Sequence, residues 1–470
     1  MKDFHTIVSA LVALPSSLQN ELITQWLGLK EVGLLDSALC SKIHRESLLS
    51  SWNEEEFTFC DSNVPLTHSL VTWATLRGVR VASVVLSDMN VDSTLCREFL
   101  HDNHSAIQSM TYVANNVEAL RTRVKTVEEL INRCTILREL KLQNIDMTDF
   151  YMQTLLTNCS NLIDLKLIDC SNVDLKAIHE YGRQIRILDL SGLKSTKKPA
   201  QASDVASFPT TAILHKLVLF NLPRRMERMQ LTNFICASVG LKELQIDQLC
   251  GSEICNIVRH CPLLRALRAD LRFDEEVGID VDEFRAFAKN MRNMRYLQLS
   301  ERTSDVHFMT DQLLLKLLQC CPELRAFAGN DVGDVAWANI CREGAAASVN
   351  SERLLPARTT PASTLQVLYM KSIRVATLSQ VLSACPRLQE LGIVRFADFD
   401  ATLRLLHGST VSKLQLHLPF GYNYATLCLL TNLTSLTLIR CVGLTDAHVG
   451  LIASYNPTLR ALRLTQCDLV

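Results

Sequence analysis

The sequence predicts an α/β solenoid, a horseshoe with a parallel sheet on its concave side and helices on its convex side, preceded by a small all-α module. Three observations predict it. One three-slot apolar phrase recurs along most of the chain at a nearly constant spacing. Between copies of the phrase the apolar period changes from that of a strand to that of a helix. The first fifty residues fit neither pattern.

The phrase reads apolar, two variable, apolar, one variable, apolar. It appears as Leu137-Leu140-Leu142, Leu162-Leu165-Leu167, Ile185-Leu188-Leu190, Leu214-Leu217-Leu219 and Leu241-Leu244-Ile246. It continues as Leu264-Leu267-Ala269, Met294-Leu297-Leu299 and Leu324-Phe327-Gly329, with weaker final slots in Ala269 and Gly329. Then follow Leu365-Leu368-Met370, Leu388-Leu391-Ile393, Val411-Leu414-Leu416, Leu433-Leu436-Leu438 and Leu459-Leu462-Leu464. Two looser copies, Val81-Val84-Leu86 and Ile107-Met110-Tyr112, stand in front. First positions are spaced mostly 22 to 30 residues apart, with one interval of 41 between Leu324 and Leu365. That spacing fits the leucine-rich repeat, at ~20–29 residues per unit, slightly stretched.

Each element of the unit has a physical reason. Alternate residues of a strand share a face, so Leu165 and Leu167 point inward while Asp164 and Lys166 point out. A lone repeat cannot bury its leucines, and stacked repeats bury them between neighbours. After the strand, Leu378, Val381, Leu382 and Cys385 fall at i, i+3, i+4 and i+7, one apolar helical stripe. The pairs Thr148-Asp149, Thr310-Asp311 and Thr445-Asp446 open such stripes, the threonine as N-cap and the aspartate at the positive end of the helix dipole. Cys261-Pro262, Cys321-Pro322 and Cys385-Pro386 close them, because proline cannot continue a helix.

The Thr-Asp starts, the Cys-Pro-x-Leu ends and the cysteines three residues after a strand (Cys170, Cys441, Cys467) resemble the cysteine-containing class of leucine-rich repeats. That class is best known from F-box proteins, and the resemblance covers roughly residues 76–470.

Residues 13–50 carry apolar side chains at spacings that make two or three short amphipathic helices, with Pro15 near a helix start. Read from the residues alone, such helices either cap the first repeat or form a docking module. A Leu-Pro opening, a helix ending in a hydrophobic pair and a short Leu-x-x-Ala-Leu-Cys helix resemble an F-box. The resemblance implies that Leu14, Pro15, Leu18, Ile23, Leu34, Leu35 and Leu39 grip the Skp-type adaptor of an SCF (Skp–cullin–F-box) ubiquitin ligase. It also implies that the repeats hold an unknown protein target for ubiquitin-dependent degradation. The boundaries expected are 1–52 for the F-box-like module or cap, 53–75 for a connecting segment and 76–470 for the solenoid.

Composition narrows the alternatives. Lys and Arg number 48 against 49 Asp and Glu, a formal net charge of −1, which argues against nucleic acid or an anionic membrane as the main partner. No apolar run reaches the ~18 residues that cross a bilayer, and Pro15 with no small-x-small site after it argues against a leader. Seventeen cysteines, an odd number scattered along the chain, point to the reducing cytosol or nucleus. An extracellular receptor is disfavoured on the same grounds. A GTPase-activating repeat protein would be expected to carry an acidic tail, whereas this chain reads Cys467-Asp468-Leu469-Val470.

No chemistry-bearing constellation stands out. Cys250 and Cys255, the adjacent Cys320 and Cys321, and the His101-x-x-His104 pair lack the partners that zinc spacing requires. There is no glycine-rich phosphate loop, nucleophile elbow or carboxylate pair. The expectation is no catalytic residue, no metal, no cofactor and no small-molecule substrate. Binding is expected on the outward strand positions, which include Lys141, Lys166, Phe220, Gln245, Arg268, Tyr296, Tyr369, Lys371, Lys413 and Arg463. Aromatic and arginine side chains carry interface energy disproportionately, so Phe220, Arg268, Tyr296, Tyr369 and Arg463 are the partner-binding candidates. Residues 194–211 and 342–363 read as loops inserted into the repeats, and the last strand has no polar capping helix after it.

Overall fold

The computed structural model describes residues 58–59, 67–77, 80–87, 93–114, 120–147, 152–173, 175–194, 214–221, 228–249, 251–271, 291–301, 321, 323–329, 364–396, 398–418 and 423–469. The chain divides into two compact units, Met1–Ser238 and Val239–Val470, each taken by itself below.

In the first unit the order is β1 (Thr58–Phe59), α1 (His68–Arg77), β2 (Arg80–Val81), β3 (Ser83–Ser87), α2 (Thr94–Asn103), β4 (Ser109–Val113), α3 (Leu120–Arg133) and β5 (Glu139–Gln143). It continues with α4 (Met152–Asn158), β6 (Asp164–Ile168), α5 (Leu175–Tyr181), β7 (Ile187–Asp189), β8 (Lys216–Leu219) and α6 (Arg228–Ala237). Strands β3 to β8 pair in parallel, each with the next in chain order. The register places Met110, Leu140, Leu165, Leu188 and Leu217 side by side in one row and Tyr112, Leu142 and Leu167 in the next. All eight are buried, at ~1.5–3 kcal/mol for each fully buried side chain. In front of this sheet, β1 pairs in parallel with β2, and α1 between them packs on α2 with Val71 and Ala74 buried.

The second unit holds β9 (Glu243–Leu249), α7 (Gly251–His260), β10 (Ala266–Leu271), β11 (Tyr296–Glu301), β12 (Ala326–Ala328), β13 (Val367–Ile373), α8 (Val375–Ala384) and β14 (Glu390–Phe396). After these come α9 (Phe399–Leu406), β15 (Lys413–His417), a 3-10 turn over Tyr424–Leu429, β16 (Ser435–Ile439), β17 (Val442–Leu444), α10 (Asp446–Tyr455), β18 (Ala461–Thr465) and β19 (Asp468–Leu469). Strands β9 to β16 and then β18 form a parallel ladder in chain order. Its inward row runs Leu244, Leu267, Leu297, Phe327, Leu368, Leu391, Leu414, Leu436 and Leu462. The first eight are buried, whereas Leu462, on the last strand of the ladder, is only half-buried and Leu464 is exposed. Past that strand, β19 turns back to pair in parallel with β17.

Helix ends follow the residues that announce them. Thr445 caps α10 by accepting the His448 N–H at 3.3 Å, while His448 Nδ1 accepts the Thr445 N–H at 3.2 Å, a reciprocal capping box. Cys385 terminates α8, its N–H donating to the Val381 carbonyl at 2.8 Å, and Pro386 forbids a further turn. Cys261 ends α7 in the same way on the Ile257 carbonyl, at 2.8 Å. The Thr148-Asp149 and Thr310-Asp311 pairs lie outside the described residues, as do nearly all of both inserted loops.

The consensus cysteines tie one repeat to the next. The Cys170 thiol donates to the Leu142 carbonyl at 3.5 Å and Cys467 to the Leu438 carbonyl at 3.4 Å, each one strand back. Just beyond the strands the backbone turns through the left-handed region, at Asn144 (φ 60°), Asp169 (φ 55°), Arg440 (φ 54°) and Gln466 (φ 53°). Asn and Asp adopt that region most readily, and the two long side chains do so only under local constraint. Each unit is thus an α/β stack of leucine-rich repeats.

Candidate protein-binding face

The face of each ladder opposite the leucine rows carries the outward strand positions. In the first unit its central row is Thr111, Lys141, Lys166 and Asp189. Lys166 Nζ pairs with Asp164 Oδ2 at 3.0 Å. Burial raises the Asp164 carboxyl above its ordinary range, and the lysine only partly offsets it. Phe220 follows β8 and is half-buried; its N–H donates to Ser191 Oγ at 3.4 Å and its carbonyl accepts from Gly192 at 2.6 Å.

The second unit departs from the expected pattern. Arg268, Tyr296 and Tyr369 occupy outward slots, yet they are only 6%, 8% and 9% exposed. Around them Ala266, Ala326 and Ala328 join the two tyrosines in a buried apolar cluster on this second face. Gln245 and Gln298, the register partners of Arg268, are buried with it. Alternation along a strand says which face a side chain takes, and it does not say whether that face is covered. Three of the five partner-binding candidates are therefore sheathed in the free chain. Arg463 is exposed on β18, beside Thr437 of β16, and Phe220 is partly accessible. Lys413 pairs with Glu390 Oε2 at 3.6 Å, and the Tyr369 hydroxyl hydrogen-bonds to Glu390 Oε1.

Beyond this cluster the same face holds a cavity of about 330 Å³. Tyr369, Gly392, Gln415, His417, Arg440 and Gln466 are among its walls. Its rim is the left-handed pair described above, with Arg440 Nε donating to Gln466 Oε1 at 2.9 Å. His417 Nε2 is buried with no hydrogen-bond partner among the described residues. Burial, then the charges of Arg440 and Arg395, hold the His417 imidazole below its ordinary value, so it is neutral at pH 7. None of these residues except Tyr369 was a sequence candidate. The readable signal was position: Arg440 and Gln466 stand where the turn after other strands has Asn144 and Asp169.

The adaptor-binding candidates Leu14, Pro15, Leu18, Ile23, Leu34, Leu35 and Leu39 all lie outside the described residues. Among the described residues no three His, Cys, Asp or Glu side chains are placed to hold a metal ion, and no helix is long and apolar enough to cross a membrane. Burial pushes the thiols of Cys96, Cys159, Cys170 and Cys385 up to about 11, and those of Cys134 and Cys441 to about 12. These six are protonated at neutral pH and are poor nucleophiles.

No protein-family model matches the sequence, and no curated protein matches it. Solved structures are similar in fold. An internalin from Listeria monocytogenes shares 14% identity over 81% of this chain and 87% of that one, with a TM-score of 0.36. A leucine-rich-repeat protein of Leptospira interrogans shares 15% over 85% and 99%, with a TM-score of 0.36. The yeast complex of Rad7 and Elc1 contains a chain that shares 11% over 98% and 89%, with a TM-score of 0.39. At such values these likenesses carry no argument about function. The leucine-rich-repeat fold itself stands on the register of the leucine rows.

Proposed function

We propose that this chain is a non-enzymatic protein-binding subunit: its outward sheet faces hold a protein target, and residues 13–50 dock a Skp-type adaptor of an SCF-type ubiquitin ligase. The observation that carries the binding reading is the outward face itself. Parallel ladders fix polar side chains such as Lys141, Lys166 and Arg463 at the strand spacing, with no metal-holding cluster among the described residues. A target held this way gains rate through proximity to a ubiquitin-charged enzyme, with no side chain of this chain entering the chemistry.

The adaptor reading rests on the F-box-like order of residues 13–50. Along the sequence the strand–helix–strand unit β1–α1–β2 comes between those residues and β3, an order that favours a separate docking module over a plain cap. Co-purification with the Skp-type adaptor of the same organism tests it. Wild type is expected to retain the adaptor and a Leu14→Ala/Pro15→Ala double variant to lose it, with circular dichroism unchanged. Absence of binding by wild type at micromolar concentrations removes the ligase role and leaves a repeat scaffold.

A further inference from the structure

We propose that the cavity on the outward face of β13 to β16 is a carboxylate subsite, which takes one aspartate or glutamate side chain of the protein held by the repeats. This deepens the proposed function and rests on its reading of the outward face as protein-binding.

Size sets the first limit. At about 330 Å³ the cavity is at the lower end of ligand pockets, ~300–1,000 Å³, which suits a single side chain and its flank better than a nucleotide or cofactor. Charge sets the second. Arg440 is in the wall and Arg395 stands within electrostatic reach of His417, while no Asp or Glu among the described residues lines the cavity. Glu390, two residues before Gly392 on β14, is already engaged by Lys413 and by the Tyr369 hydroxyl.

Donor geometry sets the third. Gln466 Oε1 takes the Nε hydrogen of Arg440, which fixes the guanidinium and leaves its terminal amino groups for a two-pronged carboxylate. Gln415 and Gln466 add amide donors at the wall. The unpartnered Nε2 of His417 gains a partner once a carboxylate enters and the imidazole carries its proton there. Arg440 and Gln466 both take the left-handed backbone conformation at the turn after their strands, which places the two side chains side by side at the wall. Tyr369 lies over Gly392 at the inner end, giving an aromatic surface for the side chain's methylenes.

The test is fluorescence anisotropy on the full chain with a labelled peptide of alternating Glu and Gly, its Gln counterpart, and a phosphoserine counterpart. The Glu peptide is expected to bind about tenfold or more tightly than the Gln peptide, since charge-assisted hydrogen bonds contribute ~1.5–3 kcal/mol. An Arg395→Gln/Arg440→Gln variant is expected to lose that preference, while Arg259→Gln, an exposed charge on α7, retains it. Equal binding of Glu and Gln peptides by wild type overturns the proposal. So does tight binding of the phosphoserine peptide alone, or an equal loss in Arg259→Gln. Because the peptides are compared on wild type, the result does not depend on a variant folding. Adaptor co-purification does not involve Arg440, so failure here and failure of the proposed function are separable.

Discussion

The ring of Tyr369 lies across its register partner Gly392 so closely that a Cβ on Gly392 would stand 2.1 Å from Tyr369 Cδ1. The absence of a side chain at Gly392 lets the ring lie flat and its hydroxyl reach Glu390 of the same neighbouring strand. Gly392→Ala is therefore expected to expel the ring and destabilise the chain by ~1–3 kcal/mol, the usual cost of overpacking. In a Tyr369→Ala background the same substitution is expected to cost much less. A double-mutant cycle by urea unfolding reads this coupling, and additive effects would contradict the stacking.

Leu267 is wholly buried between Leu244 and Leu297 in the inward row of the second unit. Leu267→Ala is expected to cost ~2–5 kcal/mol by equilibrium unfolding. Lys141→Ala, on the outward face of the first unit, is expected to change stability by no more than ~0.5 kcal/mol in the same titration.

Thr445 and His448 cap α10 reciprocally. Replacing Thr445 with Ala leaves the His448 N–H without its acceptor and is expected to cost ~0.5–2 kcal/mol, with Thr445→Ser recovering most of the loss. Thermal unfolding of the three proteins checks the order wild type, Ser, Ala.

The buried thiols make stability fall in alkali. A thiol ordinarily ionises at 9.0, and burial raises Cys96 to about 11 and Cys134 and Cys441 to about 12. A raised folded value means that the folded state holds its proton harder. Their contribution is thus fully present below pH 9.0 and lost as the pH climbs from there toward 11 and 12. The melting temperature is expected to be flat with respect to these groups near neutrality and to drop above that point, less steeply in Cys441→Ala. Iodoacetamide labelling at neutral pH, resolved by mass spectrometry, is expected to spare these three cysteines until the chain unfolds.

The leucine rows were legible because each slot of the phrase is buried for the same geometric reason in every repeat. The weak slot Ala269 holds to it, paired with Ile246 and Leu299 in the inward row, whereas Gly329 falls just past the end of β12 and is only half-buried. The Thr445 start and the Cys385 stop were legible because each acts within one helical turn of its own position. What was not legible depends on residues distant in sequence. The outward slots of Arg268, Tyr296 and Tyr369 predict side chains presented to a partner, whereas they are buried among Ala266, Ala326, Ala328 and two buried glutamines. The small residues at successive outward slots were the available sign that this stretch of the second face is packed. The cavity was illegible for a related reason: Gly392, His417, Arg440 and Gln466 belong to four different repeats, and only the ladder brings them together.

The measurement that tests the account most directly is hydrogen exchange of the full chain, alone and with the Skp-type adaptor, resolved to peptides. Protection confined to residues 13–50, with β3 to β8 and β9 to β18 exchanging as before, is the predicted result: the adaptor is held by the F-box-like segment and the sheet faces stay open for a target. No protection at 13–50, or protection that falls instead on the outward strands such as β5 and β6, would contradict it.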